Sequence, residues 1–335
     1  MTSKELAKLA GVSQATVSRC LNNSPLVAEK TKKMVQDLAA KYSFQLNSSA
    51  RGLKTKRTGV IGYVFSRDFT GFTNHYMQSD LYYRLRMRLM EQYIDVVPVF
   101  DDQDPYGVPN IAKFISTKRF DALVVNRPDL PNELKEMLKN AKTPYLFIYD
   151  TDEDIQNECM IYPSHRKMGY MVGKVFCERG YTRFIEIFGR KGRIDGIHKH
   201  QGFTAALQES GCTISEDHIL YGNYRFDDAL QTVTEHIDLF RDAQVCFAQN
   251  DMMALGTIEA LRRHGIRVPE DIKIIGSDNI PMTTWFQPFL TTVTLDYEKI
   301  INTTAEWVVE MINEPEESPI RRREIDARII YRDTF

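Results

Sequence analysis

The sequence predicts a small all-α helix-turn-helix head joined to an α/β core of two lobes, each built on a doubly wound parallel sheet. Three observations carry that expectation. First, residues 1–57 hold 11 Lys and Arg against 3 Asp and Glu, a net of +8, while residues 58–335 hold 32 against 42, a net of −10. The overall charge of −2 therefore hides a basic head on an acidic body. Second, residues 2–21 have the punctuation of two short helices about a tight turn. Third, from Gly59 onward short apolar runs alternate with helical stretches, and the runs are too many for one sheet of usual size.

In the head, Thr2 and Glu5 stand at capping-box spacing. Leu6, Leu9 and Ala10 form an apolar stripe, and Gly11 breaks the helix where a left-handed backbone is cheap. Ser13 is placed to cap the second helix, with Val12 and Val17 at the spacing of a hydrophobic staple. Val17 and Leu21 face inward. Gln14, Ala15, Thr16, Ser18 and Arg19 are left on the outer or leading side. In this layout the start of the second helix reads base edges in the major groove, and the positive charge suits the phosphates. After the turn cluster Asn22-Asn23-Ser24-Pro25 a third helix is expected over Glu29–Tyr42, with Val35, Leu38 and Ala39 inward, closing a core around Leu6, Val17 and Val35. Residues 47–54 are only weakly helical. Gly52 costs about 1 kcal/mol against Ala there, so the segment is expected to be disordered alone. Residues 55–58 read as linker.

In the body, apolar runs at 60–65, 94–100, 120–125, 145–149, 184–188, 245–248 and 272–275 predict strands. Helices are expected near 75–92, 108–117, 131–141, 165–179, 199–210, 226–239 and 251–264. Continuous apolar strands between helices indicate parallel sheets covered on both faces. A break near 161–164 suggests two lobes, with a ligand cleft at the carboxyl ends of the strands. Arg321–Arg323 reads as a solvated strand end, and Arg84, Arg86 and Arg88 as solvated. The apolar fraction of 43% and charged fraction of 26% are those of a soluble globular chain. Five cysteines, odd in number and far apart, with no CxxC or Cys/His cluster, imply buried thiols in a reducing compartment and neither metal nor cofactor. No apolar leader and no run of 18 apolar residues is present, so a cytoplasmic, nucleoid-associated protein with no membrane partner is expected. No nucleophile elbow, P-loop or GxGxxG after a strand appears; Gly189-Arg-Lys-Gly192 has the wrong spacing for a Walker loop. The chain is not expected to be an enzyme.

Head and body together resemble one family, the transcriptional regulators of the lactose-repressor and galactose-repressor type. The resemblance rests on AGVSQATVSRCLN (Ala10–Asn22), Thr31 and Val35, NSSARGL (Asn47–Leu53), GRKGRIDGIHKHQGF (Gly189–Phe203), QNDMMALG (Gln249–Gly256), VPEDIKIIGSDN (Val268–Asn279) and PFLTTV (Pro288–Val293). It spans essentially the whole chain. It implies a helix-turn-helix domain over 1–46 and a hinge helix with linker over 47–58. It also implies a core similar to periplasmic sugar-binding proteins, with one lobe over 59–162 with 291–321 and the other over 163–290 with 322–335. The crossovers would lie near 161–163, 290 and 321.

The resemblance further implies a homodimer on a near-palindromic double-stranded DNA operator, and repression controlled by a small-molecule effector: a sugar, sugar acid or sugar phosphate. Ser13, Gln14, Ala15, Thr16, Ser18 and Arg19 fall on the family's DNA-contacting positions. Gln pairs bidentately with adenine, and Ala touches a thymine methyl. Asn47, Ala50 and Leu53 fall in a hinge that folds on DNA, with Leu53 as a minor-groove wedge. For the effector the resemblance points to His75, Tyr76, Asp150, Arg193, Lys199, Tyr224, Asn250, Asp278 and Trp285. Two positions depart from the family pattern: Lys199 stands for an arginine, a point charge in place of a bidentate fork that mildly favours an acidic or phosphorylated sugar, and Pro163 stands for a polar residue. The chain ends without a leucine-heptad tail, favouring the dimer over a tetramer. The alternative is a cytosolic solute-binding protein without DNA output. The hinge assignment predicts that Leu53→Ala weakens operator binding in a gel shift while leaving effector affinity nearly intact; equal loss of both would remove Leu53 from the hinge role.

Overall fold

The computed structural model describes residues 1–21, 24, 26–44, 57–65, 69, 71, 75–100, 107, 109–127, 130–148, 158–314 and 320–335. The expected hinge helix with Asn47, Ala50 and Leu53, and the effector candidate Asp150, lie outside these residues. The chain divides into two compact units, Met1–Gly59 and Val60–Phe335.

The head is three helices: α1 (Ser3–Ala10), α2 (Gln14–Leu21) and α3 (Glu29–Lys41). The capping box closes reciprocally. Thr2 N donates to Glu5 Oε2 at 2.7 Å, and Glu5 N donates to Thr2 Oγ1 at 3.3 Å. Gly11 sits at φ 65, the left-handed stop that a side chain would strain. Ser13 Oγ accepts from Thr16 N at 3.1 Å and so caps α2. Leu6, Val17 and Val35 are fully buried and form the core together with Ala7, Cys20 and Ala39. Two expectations need correction. Leu9 is 55% exposed, and Ala7 takes its place on the buried stripe. In α2 it is Cys20 that is buried with Val17, while Leu21 is half-buried at the edge of the core. Both shifts follow from an apolar face that only needs about 100° of the helix and is filled here by small side chains.

The core unit contains two six-stranded sheets. The first has the order β11-β5-β4-β3-β1-β2, from β1 (Val60–Val64), β2 (Asp95–Val99), β3 (Ala122–Val125), β4 (Tyr145–Phe147), β5 (Met160–Pro163) and β11 (Arg322–Ile325). The second has the order β12-β10-β9-β8-β6-β7, from β6 (Phe184–Phe188), β7 (Ile219–Tyr221), β8 (Val245–Ala248), β9 (Lys273–Ser277), β10 (Thr291–Leu295) and β12 (Ala327–Ile330). Pairing is parallel throughout except between β10 and β12. Strands β3, β6, β8 and β10 are buried along their whole length, as expected of parallel strands with helices on both faces.

Helices α4 (Tyr76–Met90), α5 (Asn110–Ser116), α6 (Asn132–Ala141) and α12 (Tyr297–Asn313) belong to the first lobe. The second lobe carries α7 (His165–Glu178), α8 (Ile194–Glu209), α9 (Phe226–Glu235), α10 (Ile237–Asp242) and α11 (Asp251–Arg263). The chain passes between lobes after β5, as the break near 161–164 suggested. The later passages fall at Asp296, between β10 and α12, and at Asp326, between β11 and β12. The boundaries expected at 290 and 321 are thus moved five residues on: residues 291–295 lie in the second sheet and 322–325 in the first. Arg321–Arg323 open a strand instead of ending one. Arg321 pairs with Glu310 and lies over the Trp307 ring, and Arg322 lies over Tyr162. Arg84 also departs from expectation, pairing with Asp80 and Glu298.

Three glycines decide how the second lobe closes. A Cβ on Gly169 of α7 would stand 1.8 Å from the Lys199 carbonyl oxygen, and one on Gly202 of α8 would stand 1.8 Å from the Arg166 carbonyl oxygen. Gly173 faces the Phe203 carbonyl at 2.7 Å in the same way. The two helices meet backbone to backbone, and that contact sets the height of Lys199 and His165. Gly202→Ala is expected to destabilise the chain by about 1–3 kcal/mol or more through overpacking, read as a lower urea midpoint; an unchanged midpoint would show that the crossing can relax.

Candidate functional site: an exposed helix face and an interlobe cavity

Around α2 and its N-cap the head presents Ser13, Gln14, Ala15 and Arg19 exposed and Thr16 and Ser18 half-buried, while Val17 and Cys20 are buried. The capping bond from Ser13 fixes where the helix begins, and so where the Gln14 and Ala15 side chains project.

The second site is a cavity of about 230 Å³ between the two lobes. Many of the polar residues on its described wall come shortly after a strand, while His75, Tyr76, Gln78, Asp195 and Lys199 sit on or at the start of helices. Asn126 follows β3, Arg190 and Arg193 follow β6, Asn223 and Tyr224 follow β7, Asn250 follows β8, Asp278 follows β9, and Tyr297 follows β10. Parallel strands end on one side of their sheet, so the loops after them converge there. The cavity brings together His75, Tyr76, Arg193, Lys199, Tyr224, Asn250 and Asp278 of the expected effector residues. Trp285 is the correction: it is 63% exposed, beside Phe286 at 69%, and does not line the cavity. A short 3-10 helix (Pro281–Thr284) carries the chain away from the site before Trp285 is reached.

Asp195 is a wall residue that sequence reasoning missed. Its Oδ2 accepts from the Tyr224 hydroxyl at 2.8 Å and its Oδ1 from Arg193 Nε at 3.2 Å. Burial works to raise this carboxyl, but the charges of Arg193, Lys199 and His165 and the Tyr224 hydrogen bond outweigh it and hold it below the usual carboxylate range. Tyr224 adopts φ 62, and its ring lies where a side chain on Gly189 would stand, 2.0 Å from the ring carbon. That explains Gly189, which leaves room for the Tyr224 ring; Gly196 leaves room chiefly for the Phe188 ring and the Gln249 carboxamide, 2.8 and 2.9 Å from where its Cβ would stand.

Lys199 is only 3% exposed, and its Nζ donates to the Gln249 carbonyl at 2.8 Å. Gln249 is wholly buried and makes four contacts through its amide groups. Its Nε2 donates to Glu186 Oε1 at 2.8 Å and to the Gly196 carbonyl at 3.0 Å; its Oε1 accepts from Gly189 N at 3.1 Å; its main-chain N donates to the Ile187 carbonyl at 3.0 Å. Glu186 Oε2 lies 2.6 Å from His200 Nδ1, and that bond raises the His200 pKa against the effect of its burial. Asn250 has a structural share: its Oδ1 caps α11 by accepting from Met253 N at 2.9 Å, and its Nδ2 donates to the Tyr224 carbonyl at 3.1 Å.

Asp278 stands at φ 115, half-buried at the end of β9. Burial pushes its carboxyl up to about 6; Lys199 pulls the other way and Asp195 adds to the rise. Asp251 behind it is fully buried, accepting from Ile280 N at 2.9 Å and Thr292 Oγ1 at 2.6 Å, and burial and the Asp278 charge push it well up. Among the described residues no group of three or more His, Cys, Asp or Glu is arranged to hold a metal ion, and no helix is long and apolar enough to cross a membrane. Because the folded chain holds the Asp278 proton more tightly than the unfolded chain, folding binds protons between the ordinary carboxylate range and about pH 6. Stability therefore falls as pH rises through that window. Asp278→Asn is expected to flatten the fall, measured as urea midpoints across pH; an unaltered slope would assign the titration to another group.

Comparison with known proteins agrees with this architecture. Residues 2–47 match the family described as bacterial regulatory proteins, lacI family, and residues 174–335 match the periplasmic binding protein-like domain. The chain is 30% identical over 333 residues to the HTH-type transcriptional repressor PurR of Vibrio cholerae serotype O1 (strain M66-2), covering 99% of this chain and 97% of the relative. It is 28% identical over 317 residues to the probable HTH-type transcriptional repressor ExuR of Bacillus subtilis (strain 168), covering 94% and 93%. Its fold matches a Lac repressor dimer bound to operator and the anti-inducer ONPF, with a TM-score of 0.77 at 20% identity over 100% of this chain and 98% of that one. It also matches the transcriptional regulator CelR in complex with cellobiose, with a TM-score of 0.74 at 22% identity over the whole of both chains. With its helix-turn-helix head, its two-lobed core and full-length similarity to these repressors, the chain belongs to the lacI family of bacterial regulatory proteins.

Proposed function

We propose that this protein is a sequence-specific DNA-binding transcriptional repressor whose output is set by a sugar-like effector in the interlobe cavity. The observation that carries the reading is the union in one chain of a basic three-helix head, with Gln14, Ala15 and Arg19 exposed on α2, and a cavity walled by side chains from both lobes. Gln14 and Ala15 are the base-reading pair. Ser13, Thr16 and Ser18 serve as phosphate contacts, and Arg19 meets guanine or phosphate. Asn47, Ala50 and Leu53 form the hinge that orders on DNA. Two chains pair so that two heads meet the halves of a near-palindromic operator.

Control is a population shift. Asp278, Arg193, Lys199 and Tyr224 belong to one lobe and His75 and Tyr76 to the other, so a ligand touching both favours one lobe geometry. That geometry decides whether two hinges order side by side, and so couples the cavity to DNA affinity. A solute-binding protein without DNA output would share the core, but it would have no use for the capped, basic head. The test is selection of duplexes from a random pool by the intact chain, followed by salt titration of the winners. Selective, strongly salt-dependent binding is expected, and Gln14→Ala should relax the preference at one position per half-site by about 1–3 kcal/mol. If the variant loses affinity uniformly, Gln14 only positions the helix. If the intact chain selects nothing, the repressor reading fails.

A further inference from the structure

The helix pair of the second lobe brings together two thiols that are far apart in the chain. Gly169 of α7 lies against Lys199 and Phe203 of α8, and Gly173, one turn on, lies against Phe203 and Ala206. The contacts advance in the same direction along both helices, so the C-terminal ends come together. Each end is closed by the same kind of turn. After α7, Gly180 at φ 81 donates its N–H to the Cys177 carbonyl at 2.9 Å, and Tyr181 N donates to the Phe176 carbonyl at 3.2 Å. After α8, Gly211 at φ 72 donates to the Gln208 carbonyl at 3.0 Å, and Cys212 N donates to the Leu207 carbonyl at 2.8 Å. Two such bonds about a left-handed glycine make a Schellman turn, which folds the residue after the glycine back over the last helical turn. Cys212 is thereby returned to the end of α8, beside the last turn of α7 that carries Cys177.

The two side chains converge. The Cys177 thiol lies within hydrogen-bonding reach of the Ser210 hydroxyl and of the Cys212 thiol. Cys212 Sγ also stands 3.8 Å from the Ser210 carbonyl oxygen. Both cysteines are half-buried and pack against the same apolar cluster, which includes Phe176, Phe203 and Leu207. The other thiols stand elsewhere: Cys20 in the head, Cys246 buried within β8, and Cys159 just before β5 in the first lobe. We infer that Cys177 and Cys212 form an oxidisable dithiol, which closes to a disulfide under hydrogen peroxide and staples the C-terminal ends of α7 and α8. Cys212 reacts first, because it stands on a turn between the exposed Gly211 and Thr213, while burial holds the Cys177 thiol above its ordinary range. The Cys212 thiolate attacks one peroxide oxygen, the O–O bond breaks, one water leaves, and a sulfenic acid remains. Cys177 Sγ then gives up its proton and attacks Cys212 Sγ. The S–O bond breaks, and the departing hydroxide takes that proton as the second water. Two thiols are oxidised to one disulfide, and one peroxide is reduced to two waters. The staple constrains the unfolded chain between the two cysteines. It lies at the ends of α7 and α8 away from His165 and Lys199, so it stiffens the lobe without occupying the cavity.

The experiment treats the reduced full-length protein with hydrogen peroxide, removes the excess with catalase, and maps tryptic peptides without reduction. The peptide carrying Cys177 is expected to be linked to the one carrying Cys212 within a single chain, with two of the five thiols lost together and both recovered by dithiothreitol. Cys177→Ser and Cys212→Ser, made separately, should form no linked peptide, and Cys177→Ser should leave Cys212 as a sulfenic acid that dimedone captures. The oxidised wild-type chain should melt at least about 3 °C above its reduced form, a gap absent from both variants. Melting of the reduced variants reports whether they fold, and the wild-type map decides the pairing if one does not. Cys177 and Cys212 that oxidise singly, link to other thiols or stay reduced while Cys159 reacts overturn the inference. A linked peptide with no rise in melting temperature overturns the staple.

Discussion

The second lobe's half of the cavity depends on one buried amide. Gln249 sits at the end of β8 with its side chain turned across the sheet to β6. There it holds the main chain of Gly189 and Gly196, at the two ends of the loop that carries Arg190 and Arg193. Its carbonyl receives Lys199, and its second contact through Nε2 is the fully buried Glu186. A buried amide of this kind is costly unless every group is paired, and here its carboxamide oxygen and nitrogen, its main-chain N–H and its carbonyl each find a partner. The consequence is geometric. A loop with three cationic side chains, Arg190, Lys191 and Arg193, is tied at both ends to a rigid strand.

The same economy governs Asp195 and Tyr224. Neither would be stable alone in that position, because a buried carboxylate is expensive and a tyrosine at φ 62 is strained. Together with Arg193 they form a closed set, in which the carboxylate accepts one bond on each oxygen. The glycine at 189 is the price of fitting the ring. Asp278 is different. Its carboxyl faces the cavity with its charge disfavoured by burial and by Asp195, and only partly offset by Lys199 and by the Ser277 hydroxyl, which donates to it at 3.5 Å.

Much of the head was legible in the sequence because its structure is written in local rules. Thr2, Glu5, Gly11 and Ser13 act over three or four residues, and each sits where its spacing placed it. The strands β1, β3, β6 and β8 were equally plain, since strands buried on both faces must be continuous apolar runs. Helix α12 was missed. Its run of β-branched residues, among them Ile300, Ile301, Thr303, Thr304 and Val308, carries no clear helical preference, and burial against the first sheet decides the matter. Helix α8 begins at Ile194, not near 199, and the expected helix at 226–239 breaks at His236 into α9 and α10. Strands β10, β11 and β12 were missed for a related reason. β10 is threonine-rich, and β11 and β12 are half-polar edge segments whose place comes from pairing with distant strands.

What the sequence by itself determined is therefore the head with its outward row of polar side chains, the parallel two-lobed core, and a ligand cleft at the strand ends. These follow from capping, periodicity and the charge division, which need no knowledge of distant contacts. Only the tertiary structure decided which residues share the cavity. It removed Trp285, which a 3-10 turn carries out to solvent, and added Asp195, whose role needs Arg193 and Tyr224. It gave Asn250 a capping duty, and it moved the second and third lobe crossings to Asp296 and Asp326. The physical reason is that a wall residue is defined by the partners around it, and those partners come from strands far apart in the chain that only the sheets bring together.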